Sequence, residues 1–299
     1  MEAMIYAAPA QADLAEEISR LSRIPLGKAL IGQYPDGERN VRLLDDPLGF
    51  TAIFLFSTGP PVDANTLALA FLADAAKRAG ARSVVAVVPY LGYSRAEKLS
   101  KNGDPISCRV IADLFSGAGI DRFLTLDLHS PAIAGFFTIP VFEGSALGLF
   151  SKAFRPTEKT VVVAPDAGGF KRAASFASLL GLPLAVAFKE RPAIEARVLR
   201  LCGDLEEKEA LVLDDMVSTG ATLAQVSKLL FARGVKAIDC AVTHPVFANG
   251  AFERLKESGI RRFLVSDSLP FSPPGDWGAL EIFSIAPLLS SMIEKQLCT

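Results

Sequence analysis

The chain has 299 residues, of which half are hydrophobic and 21% are charged. This composition excludes a disordered chain and allows two domains with large cores. The net charge of −2 argues against a nucleic acid partner. No apolar run reaches the roughly 18 residues that a membrane span needs. Four cysteines stand far apart without a CxxC pair, so we expect a cytoplasmic protein without disulfides or zinc.

Apolar, β-branched runs alternate with helical patterns along the chain. The run VVAVV at 84–88 is apolar on both faces, as parallel strands covered by helices are. Helices predicted over Asn65–Ala79 and Lys171–Leu180 each end before a glycine. The alternation predicts an α/β fold of mainly parallel sheets flanked by helices. The predicted strands are Ala52–Phe56, Ser83–Val88, Phe123–Asp127, Thr160–Ala164, Leu184–Phe188, Ala210–Leu213, Ala237–Thr243 and Phe263–Val265.

The two halves of the sequence resemble each other. AGIDRFLTLD at 118–127 is similar to SGIRRFLVSD at 258–267, and FLFSTG at 54–59 is similar to LDDMVSTG at 213–220. Two matches in the same order predict diverged copies of one α/β unit. The acids of the later copy are absent from the earlier one, which has Phe54 and Leu55 there. We therefore expect the chemistry of this motif in the second copy alone.

A glycine- and serine-containing stretch, EGSALGLFSK at 143–152, marks the expected boundary between the copies. We predict one domain over residues 1–147 and a second over 148–284. The remaining residues, 285–299, are expected to pack back on the first domain.

The stretch LVLDDMVSTGATL at 211–223 carries the strongest chemical signal. An apolar strand meets Asp214 and Asp215, and a short Ser/Thr/Gly loop then leads into a helix. Backbone N–H groups at a helix N-terminus favour a phosphate, while carboxylates accept hydrogen bonds from sugar hydroxyls or bind a divalent cation. The pattern lacks the lysine of a Walker A loop and indicates a ribose 5-phosphate moiety. The alternative is a solvated Asp-Asp turn.

Further candidate residues follow other predicted strands. Asp166 precedes two glycines and a helix, where it is either a helix cap or a metal ligand. Asp127 and His129 in TLDLHS face the same side of an extended segment, which suits a Mg²⁺ site, proton handling or packing. Lys189 and Arg191, in the triplet KER, are either solvated or clamp a transferring phosphoryl group.

Together these stretches resemble the ribose-phosphate pyrophosphokinases, also called phosphoribosyl pyrophosphate (PRPP) synthetases. The DD-containing motif is shared with phosphoribosyltransferases, whereas PYLGYSR and DLH…GFF are more particular to the synthetases. The resemblance implies two tandem type I phosphoribosyltransferase-like domains. It runs through YPDGE at 34–38, STGPPVDANTL at 57–67, VVPYLGYSR at 87–95, DPIS at 104–107, TLDLHSPAIAGFF at 125–137, APDAGGFKRA at 164–173, KER at 189–191 and LVLDDMVSTGAT at 211–222.

The resemblance also implies an activity. In this family ATP donates its β,γ-diphosphate to the anomeric hydroxyl of ribose 5-phosphate and AMP is released, with Mg²⁺ as the cofactor. The adenine contacts imply a homo-oligomer, because they come from a neighbouring subunit. The implied site residues are Asp214 and Asp215 for the ribose hydroxyls; Ser218, Thr219, Gly220, Ala221 and Thr222 for the 5-phosphate; Asp127, His129 and Asp166 for Mg²⁺; Tyr34, Asp36, Glu38 and Arg95 for ATP; and Lys189, Arg191 and His129 for catalysis.

Some positions depart from the family pattern. Ala96 and Glu97 replace the usual Gln and Asp, and Tyr34 stands where Phe is usual. Ala132 and Ala134 replace two glutamines, and EGSA at 143–146 replaces an acidic-amide pair. The latter two changes predict loss of the regulatory phosphate/ADP site. Two alternatives stay open: a non-catalytic regulatory paralogue, which the Ala96 change favours, and a phosphoribosyltransferase.

Overall fold

The computed structural model describes residues 2–190, 198–248, 250–273, 275 and 277–298. The chain forms two compact units. The first comprises Met1–Ser145, Ser268–Pro270 and Ser284–Thr299, and the second comprises Ala146–Asp267 and Phe271–Phe283. No helix within the described ranges is long and apolar enough to cross a membrane.

The first unit is built on a five-stranded parallel sheet with strand order β1-β4-β5-β6-β7. Strands β2 and β3 form a separate antiparallel hairpin. The C-terminal helix α8 packs on α1. The elements are β1 Ala3–Ala7, α1 Ala12–Ser22, β2 Ala29–Gln33, β3 Arg39–Leu43, β4 Thr51–Leu55, α2 Val62–Arg78, β5 Ser83–Val88, α3 Ser107–Gly117, β6 Arg122–Leu126, β7 Val141–Gly144 and α8 Ala286–Leu297.

The second unit is built on a seven-stranded sheet with strand order β10-β9-β8-β11-β12-β13-β14. All neighbours are parallel except β9 and β10, which form an antiparallel pair at one edge. The elements are α4 Leu147–Ala153, β8 Thr160–Ala164, α5 Phe170–Leu180, β9 Leu184–Glu190, β10 Val198–Cys202, β11 Glu209–Val217, α6 Ala221–Ala232, β12 Ala237–Pro245, α7 Ala251–Lys256, β13 Arg262–Ser266 and β14 Leu280–Phe283.

The two sheets repeat one strand order. The order β1-β4-β5-β6-β7 in the first unit corresponds to β8-β11-β12-β13-β14 in the second. In both units a hairpin follows the first strand and its helix. The hairpin stands apart from the sheet in the first unit, and its first strand extends the sheet in the second. This shared order agrees with the duplication that the sequence repeats predict.

Both sheets are buried on their two faces, as the continuous apolar runs predict. Strands β4 and β8 are fully buried along their lengths. In the first unit Phe54 stacks on Tyr6, with ring centroids 5.5 Å apart. Burial, followed by the nearby charges of Asp45 and Asp46, raises the pKa of the Tyr6 hydroxyl to about 12. The rigid sheets therefore offer fixed platforms for the loops at their carboxyl ends.

The predicted strands all exist, but one boundary matters for the site. The sequence predicts that a strand ends at Leu213, before the two acids, whereas β11 continues to Val217. Asp214 and Met216 still pair in parallel with β12, opposite Val242 and His244. The prediction that the acids follow the strand is therefore wrong. They lie within it, where the sheet fixes their backbone.

Candidate functional site

In the second unit a three-residue loop, Ser218–Gly220, joins β11 to α6. Gly220 has a φ of +71°, in the left-handed region, and directly precedes the first helical residue, Ala221. Ser218 and Thr222 are half-buried and Thr219 is exposed. Because the first N–H groups of a helix have no partner within it, this loop presents donors and hydroxyls to a bound anion.

Segment 247–256, which contains α7, supports the loop from behind. The backbone N–H of Phe247 donates to the carbonyl of Val217 over 3.1 Å, and that of Ala248 donates to the carbonyl of Ser218 over 3.0 Å. The Arg254 guanidinium donates to the carbonyl of Thr219. Because these contacts engage the carbonyl groups of the loop, its N–H and O–H groups are the ones that can bind a ligand.

Gly220 also packs directly on α7. A β-carbon at this position would lie 2.9 Å from Cγ of Leu255 and 3.4 Å from the carbonyl oxygen of Ala251. A side chain would thus meet a packed helix as well as an unfavourable φ. The glycine of the Ser-Thr-Gly motif is required by both the turn and the close approach.

Two adjacent acids lie before the loop on β11. Asp215 is 3% exposed, and its Oδ1 lies 3.4 Å from the Arg172 guanidinium on α5. Asp214 is half-buried, and its Oδ1 accepts a hydrogen bond from the Asp215 backbone N–H over 2.9 Å. Asp215 therefore lies beside a cation, whereas the charged neighbours of Asp214 are mainly the acids Asp215 and Asp166.

The electrostatics of Asp214 reflect those neighbours. Burial raises the pKa of this carboxyl well above its ordinary value. The charge of Asp215, the hydrogen bond with it, and the charge of Asp166 raise the pKa further, and Arg172 opposes them. The Asp214 carboxyl therefore lies near two other carboxyl groups and one guanidinium. Such oxygen atoms are suited to accept hydrogen bonds from sugar hydroxyls or to bind a cation.

Asp166 lies in the turn between β8 and α5. Its Oδ1 accepts a hydrogen bond from the backbone N–H of Gly169, the residue before α5, over 3.0 Å. This bond holds the turn, but the N-cap residue of α5 is Gly169 and not Asp166. The charge of Asp166 also raises the pKa of Asp214. The metal role of Asp166 stays a prediction.

Magnesium prefers oxygen donors and takes few protein ligands, the rest being water and substrate phosphates. Within the described ranges no group of three or more His, Cys, Asp or Glu side chains is arranged to enclose a metal ion. The carboxyl oxygens of Asp214, Asp215 and Asp166 are nevertheless hard donors of the type that Mg²⁺ prefers. The chemistry of these donors therefore fits Mg²⁺ that completes its coordination with water and substrate.

The corresponding loop of the first unit, Ser57–Gly59, is closed. Ser57 and Thr58 are 5% and 0% exposed. The Ser57 hydroxyl accepts a hydrogen bond from the Tyr90 backbone N–H over 3.2 Å, and the Thr58 hydroxyl accepts one from Gly92 over 2.7 Å. The protein itself fills the place where the second unit would hold an anion. The first copy therefore lacks both the acids and the open loop.

Asp127 and His129 lie just beyond the carboxyl end of β6, in the first unit. Asp127 is buried and His129 is exposed. Nearby, Ser130 donates to Glu97 and lowers the pKa of that carboxyl, with Lys98 and His129 acting in the same direction against partial burial. The imidazole thus stands at the surface beside an ionised carboxylate.

The other predicted ATP residues lie on two exposed segments of the first unit. Tyr34, Asp36 and Glu38 form the tip of the β2–β3 hairpin, where the Tyr34 N–H donates to the Glu38 carbonyl over 2.8 Å. A cleft of about 570 Å³ between this hairpin and α2 is lined in part by Glu38. Arg95 is exposed in the segment after β5.

Of the predicted catalytic cations, Lys189 lies on β9, where its backbone pairs with Leu199 of β10. Arg191 lies outside the described residues. The register places Lys189 one residue before the end of the strand, in the antiparallel edge pair of the sheet.

Comparison with known proteins agrees with this geometry. A family model for the N-terminal domain of ribose phosphate pyrophosphokinase matches residues 3–119, and one for the phosphoribosyl transferase domain matches residues 142–265. A ribose-phosphate pyrophosphokinase of Thermosipho africanus is 36% identical over 98% of this chain and 94% of its own length. One of Aquifex aeolicus is 38% identical over 97% and 94%.

The chain belongs to the ribose-phosphate pyrophosphokinase family.

A solved structure of the phosphoribosylpyrophosphate synthetase of Mycobacterium smegmatis matches with a TM-score of 0.94 at 32% identity, and the match covers 99% of both chains. The prediction of two tandem phosphoribosyltransferase-like domains is thereby confirmed.

Sequence reasoning missed several residues of the site. Arg172 was visible only as a basic residue at a helix start, and nothing in the sequence indicates that it faces Asp215. Arg254 is separated from the loop that it contacts by 35 positions. Glu143 and Ser145 stand out in the sequence only as departures from the family pattern, although both contact the turn that carries His129.

Proposed function

We propose that this protein is a ribose-phosphate diphosphokinase, which transfers the β,γ-diphosphate of ATP to the anomeric hydroxyl of ribose 5-phosphate. The contrast between the two Ser-Thr-Gly loops is the observation that carries the proposal, together with the family relationship over nearly the whole chain. The loop of the second unit is open and follows two acids, whereas that of the first is filled by its own backbone.

The second unit is the proposed ribose 5-phosphate site. Ser218, Thr219, Gly220, Ala221 and Thr222 bind the 5-phosphate through N–H and O–H donors at the start of α6. Asp214 and Asp215 accept hydrogen bonds from the sugar hydroxyls. The Arg172 guanidinium, 3.4 Å from Oδ1 of Asp215, orients that carboxylate as an acceptor.

The first unit is the proposed ATP-binding part. Arg95 contacts the phosphates, and Tyr34, Asp36 and Glu38 contact the adenine of a neighbouring subunit in a homo-oligomer. The homo-oligomer, the cytoplasmic location, and the domain bounds at 147 and 284 are predictions that follow from the resemblance and the sequence. The altered residues Ala132 and Ala134 predict that phosphate and ADP do not regulate this enzyme in the usual way.

The proposed reaction is an in-line displacement at the β-phosphorus of ATP. The anomeric oxygen forms a bond to that phosphorus, the bond to the α,β-bridging oxygen breaks, and AMP leaves with that oxygen. The anomeric hydroxyl proton passes to solvent. Lys189, Arg191 and His129 are the proposed catalytic residues, and the two cations stabilise the charge that develops on the transferring group.

Magnesium is the proposed cofactor, and Asp127, His129 and Asp166 are its proposed ligands. When bound, Mg²⁺ neutralises phosphate charge. The protein's own residues bind and orient the two substrates.

The test is to incubate the protein with Mg²⁺, ATP and ribose 5-phosphate and to measure AMP and PRPP. Equal formation of both supports the proposal. Absence of AMP at all phosphate concentrations favours a non-catalytic paralogue and sinks the proposal. Release of diphosphate from PRPP only when a free base is added favours a phosphoribosyltransferase.

A further inference from the structure

The turn that carries His129 has an unusual backbone. Asp127, the first residue after β6, has a φ of +35°, in the left-handed region that residues with a β-carbon rarely adopt. Such a conformation is unfavourable and persists only where the surroundings impose it. The neighbouring segment 143–145 supplies the contacts that do so.

Hydrogen bonds of the backbone and of side chains join the two segments. The Asp127 backbone N–H donates to the Gly144 carbonyl over 3.0 Å. The Leu128 backbone N–H donates to Oε1 of Glu143 over 2.8 Å, and the Ser145 hydroxyl donates to Oδ1 of Asp127 over 2.7 Å. Regular pairing of β6 with β7 ends at Leu126 and Gly144, so the two side-chain bonds extend the connection past the sheet.

Segment 143–145 is itself held in place. Gly144 packs so closely against α8 that a β-carbon there would lie 2.5 Å from Sδ of Met292 and 2.8 Å from a methyl group of Leu126. Asp127 and Leu128 are 6% and 4% exposed, whereas His129 is exposed. The turn therefore connects a closely packed segment to an exposed imidazole only a few residues away.

We infer that Glu143 and Ser145 are positioning residues that hold the Asp127–His129 turn and so aim the His129 imidazole at the metal and nucleotide. The inference rests on the proposed function. It also gives a role to a stretch, EGSA, that departs from the family pattern. The contacts of both side chains are with the turn, so both act through it.

Kinetics give the first test. Replacing Glu143 with alanine removes a charged acceptor from a buried N–H, and Glu143→Gln keeps an acceptor oxygen at the same place. We expect kcat/KM for ATP to fall about tenfold in Glu143→Ala and to recover to within about threefold of wild type in Glu143→Gln. Ser145→Ala should show a smaller fall in the same parameter. KM for ribose 5-phosphate should stay unchanged in all three variants.

A matched control is Glu16→Ala, which removes an exposed glutamate from α1 in the same unit. It should leave every parameter at the wild-type value. Equal effects on ATP and ribose 5-phosphate, or equal losses in Glu143→Ala and Glu143→Gln, would overturn the inference, because general destabilisation produces those patterns.

A second readout does not depend on turnover. The chain has two histidines, His129 and His244, and only His129 is exposed, so its imidazole Cε1–H resonance can be assigned with a His129→Asn variant. Mn²⁺ with ATP, without ribose 5-phosphate, should broaden this resonance in wild type and in Glu143→Gln. Glu143→Ala should need several-fold more Mn²⁺ for the same broadening.

Identical Mn²⁺ titrations for wild type and Glu143→Ala would overturn the inference, as would a wild-type His129 resonance that Mn²⁺ does not broaden. If wild type forms no AMP, the proposed function fails, and the Mn²⁺ titrations still decide the positioning role.

Discussion

Replacing Asp214 with asparagine should make the substrate-free protein more stable and less able to bind ribose 5-phosphate. Burial and the charges of Asp215 and Asp166 raise the pKa of this carboxyl well above its ordinary value. Ionisation of Asp214 at neutral pH therefore lowers the free energy of unfolding. Asparagine keeps an oxygen that accepts the Asp215 N–H and removes the charge. Active sites commonly carry such costs in exchange for function.

The sign of the gain follows from linkage, because a carboxyl whose pKa folding raises destabilises the folded protein above that pKa. Removing an unfavourable charge at a functional site commonly stabilises a protein by on the order of 1–2 kcal/mol, and we expect a gain of this order in the free energy of unfolding of Asp214→Asn at pH 8. For a domain of this size the apparent Tm then rises by roughly 2–6 °C.

The pH dependence has a definite sign. Because the folded pKa is raised, wild-type stability is lost as pH rises from the ordinary aspartate value through the folded one. The difference between Asp214→Asn and wild type should therefore be small near pH 4 and grow toward pH 8. Thermal unfolding without substrate at both pH values measures it.

The control is Asp204→Asn, the same chemical change at a side chain that is 80% exposed in the same unit. It should alter the free energy of unfolding by less than about 0.5 kcal/mol.

Loss of a charged acceptor should raise KM for ribose 5-phosphate by about 10- to 100-fold in Asp214→Asn, and Asp204→Asn should keep the wild-type KM. A lower Tm for Asp214→Asn at pH 8, or an unchanged KM, would refute the reasoning.

Two further predictions use paired variants. Gly220→Ala places a β-carbon against Leu255 at a residue with a positive φ, so KM for ribose 5-phosphate should rise about tenfold or more. The control is Gly181→Ala, at a residue with a φ of +67° and open space around it. This variant should lose only about 1 kcal/mol of stability and keep the wild-type steady-state KM. Asp121→Ala removes the acceptor of hydrogen bonds from a lysine, a serine and a backbone N–H, so the free energy of unfolding in denaturant should fall by about 2 kcal/mol. Asp74→Ala, which breaks an exposed ion pair on a helix, should lower it by less than about 0.5 kcal/mol. Similar losses of stability for the two variants would contradict this prediction.

Local patterns predicted much of the fold. Apolar runs such as VVAVV become buried parallel strands, and the helix before Gly181 ends there in a left-handed cap. The repeated motifs predicted two similar units, and the matching strand orders agree. Short or half-exposed strands, such as Ala29–Gln33 and Leu280–Phe283, were missed because they lack a continuous apolar run.

The candidate site was predictable where its residues are adjacent in sequence. The acids, the loop and the start of α6 form one contiguous motif, so their proximity follows from local geometry. Arg172 and Arg254 come from other elements, and only the tertiary structure brings them to Asp215 and Thr219. The closed state of the first Ser-Thr-Gly loop was likewise invisible, because it depends on N–H groups of Tyr90 and Gly92.

The identity of the nucleotide product tests the central claim most directly. With Mg²⁺, ATP and ribose 5-phosphate, ³¹P NMR of the reaction should show AMP and PRPP appearing in equal amounts, with the β-phosphorus of ATP now bonded to the anomeric oxygen. Accumulation of ADP, or ATP that stays unchanged while ribose 5-phosphate is present, would contradict diphosphate transfer.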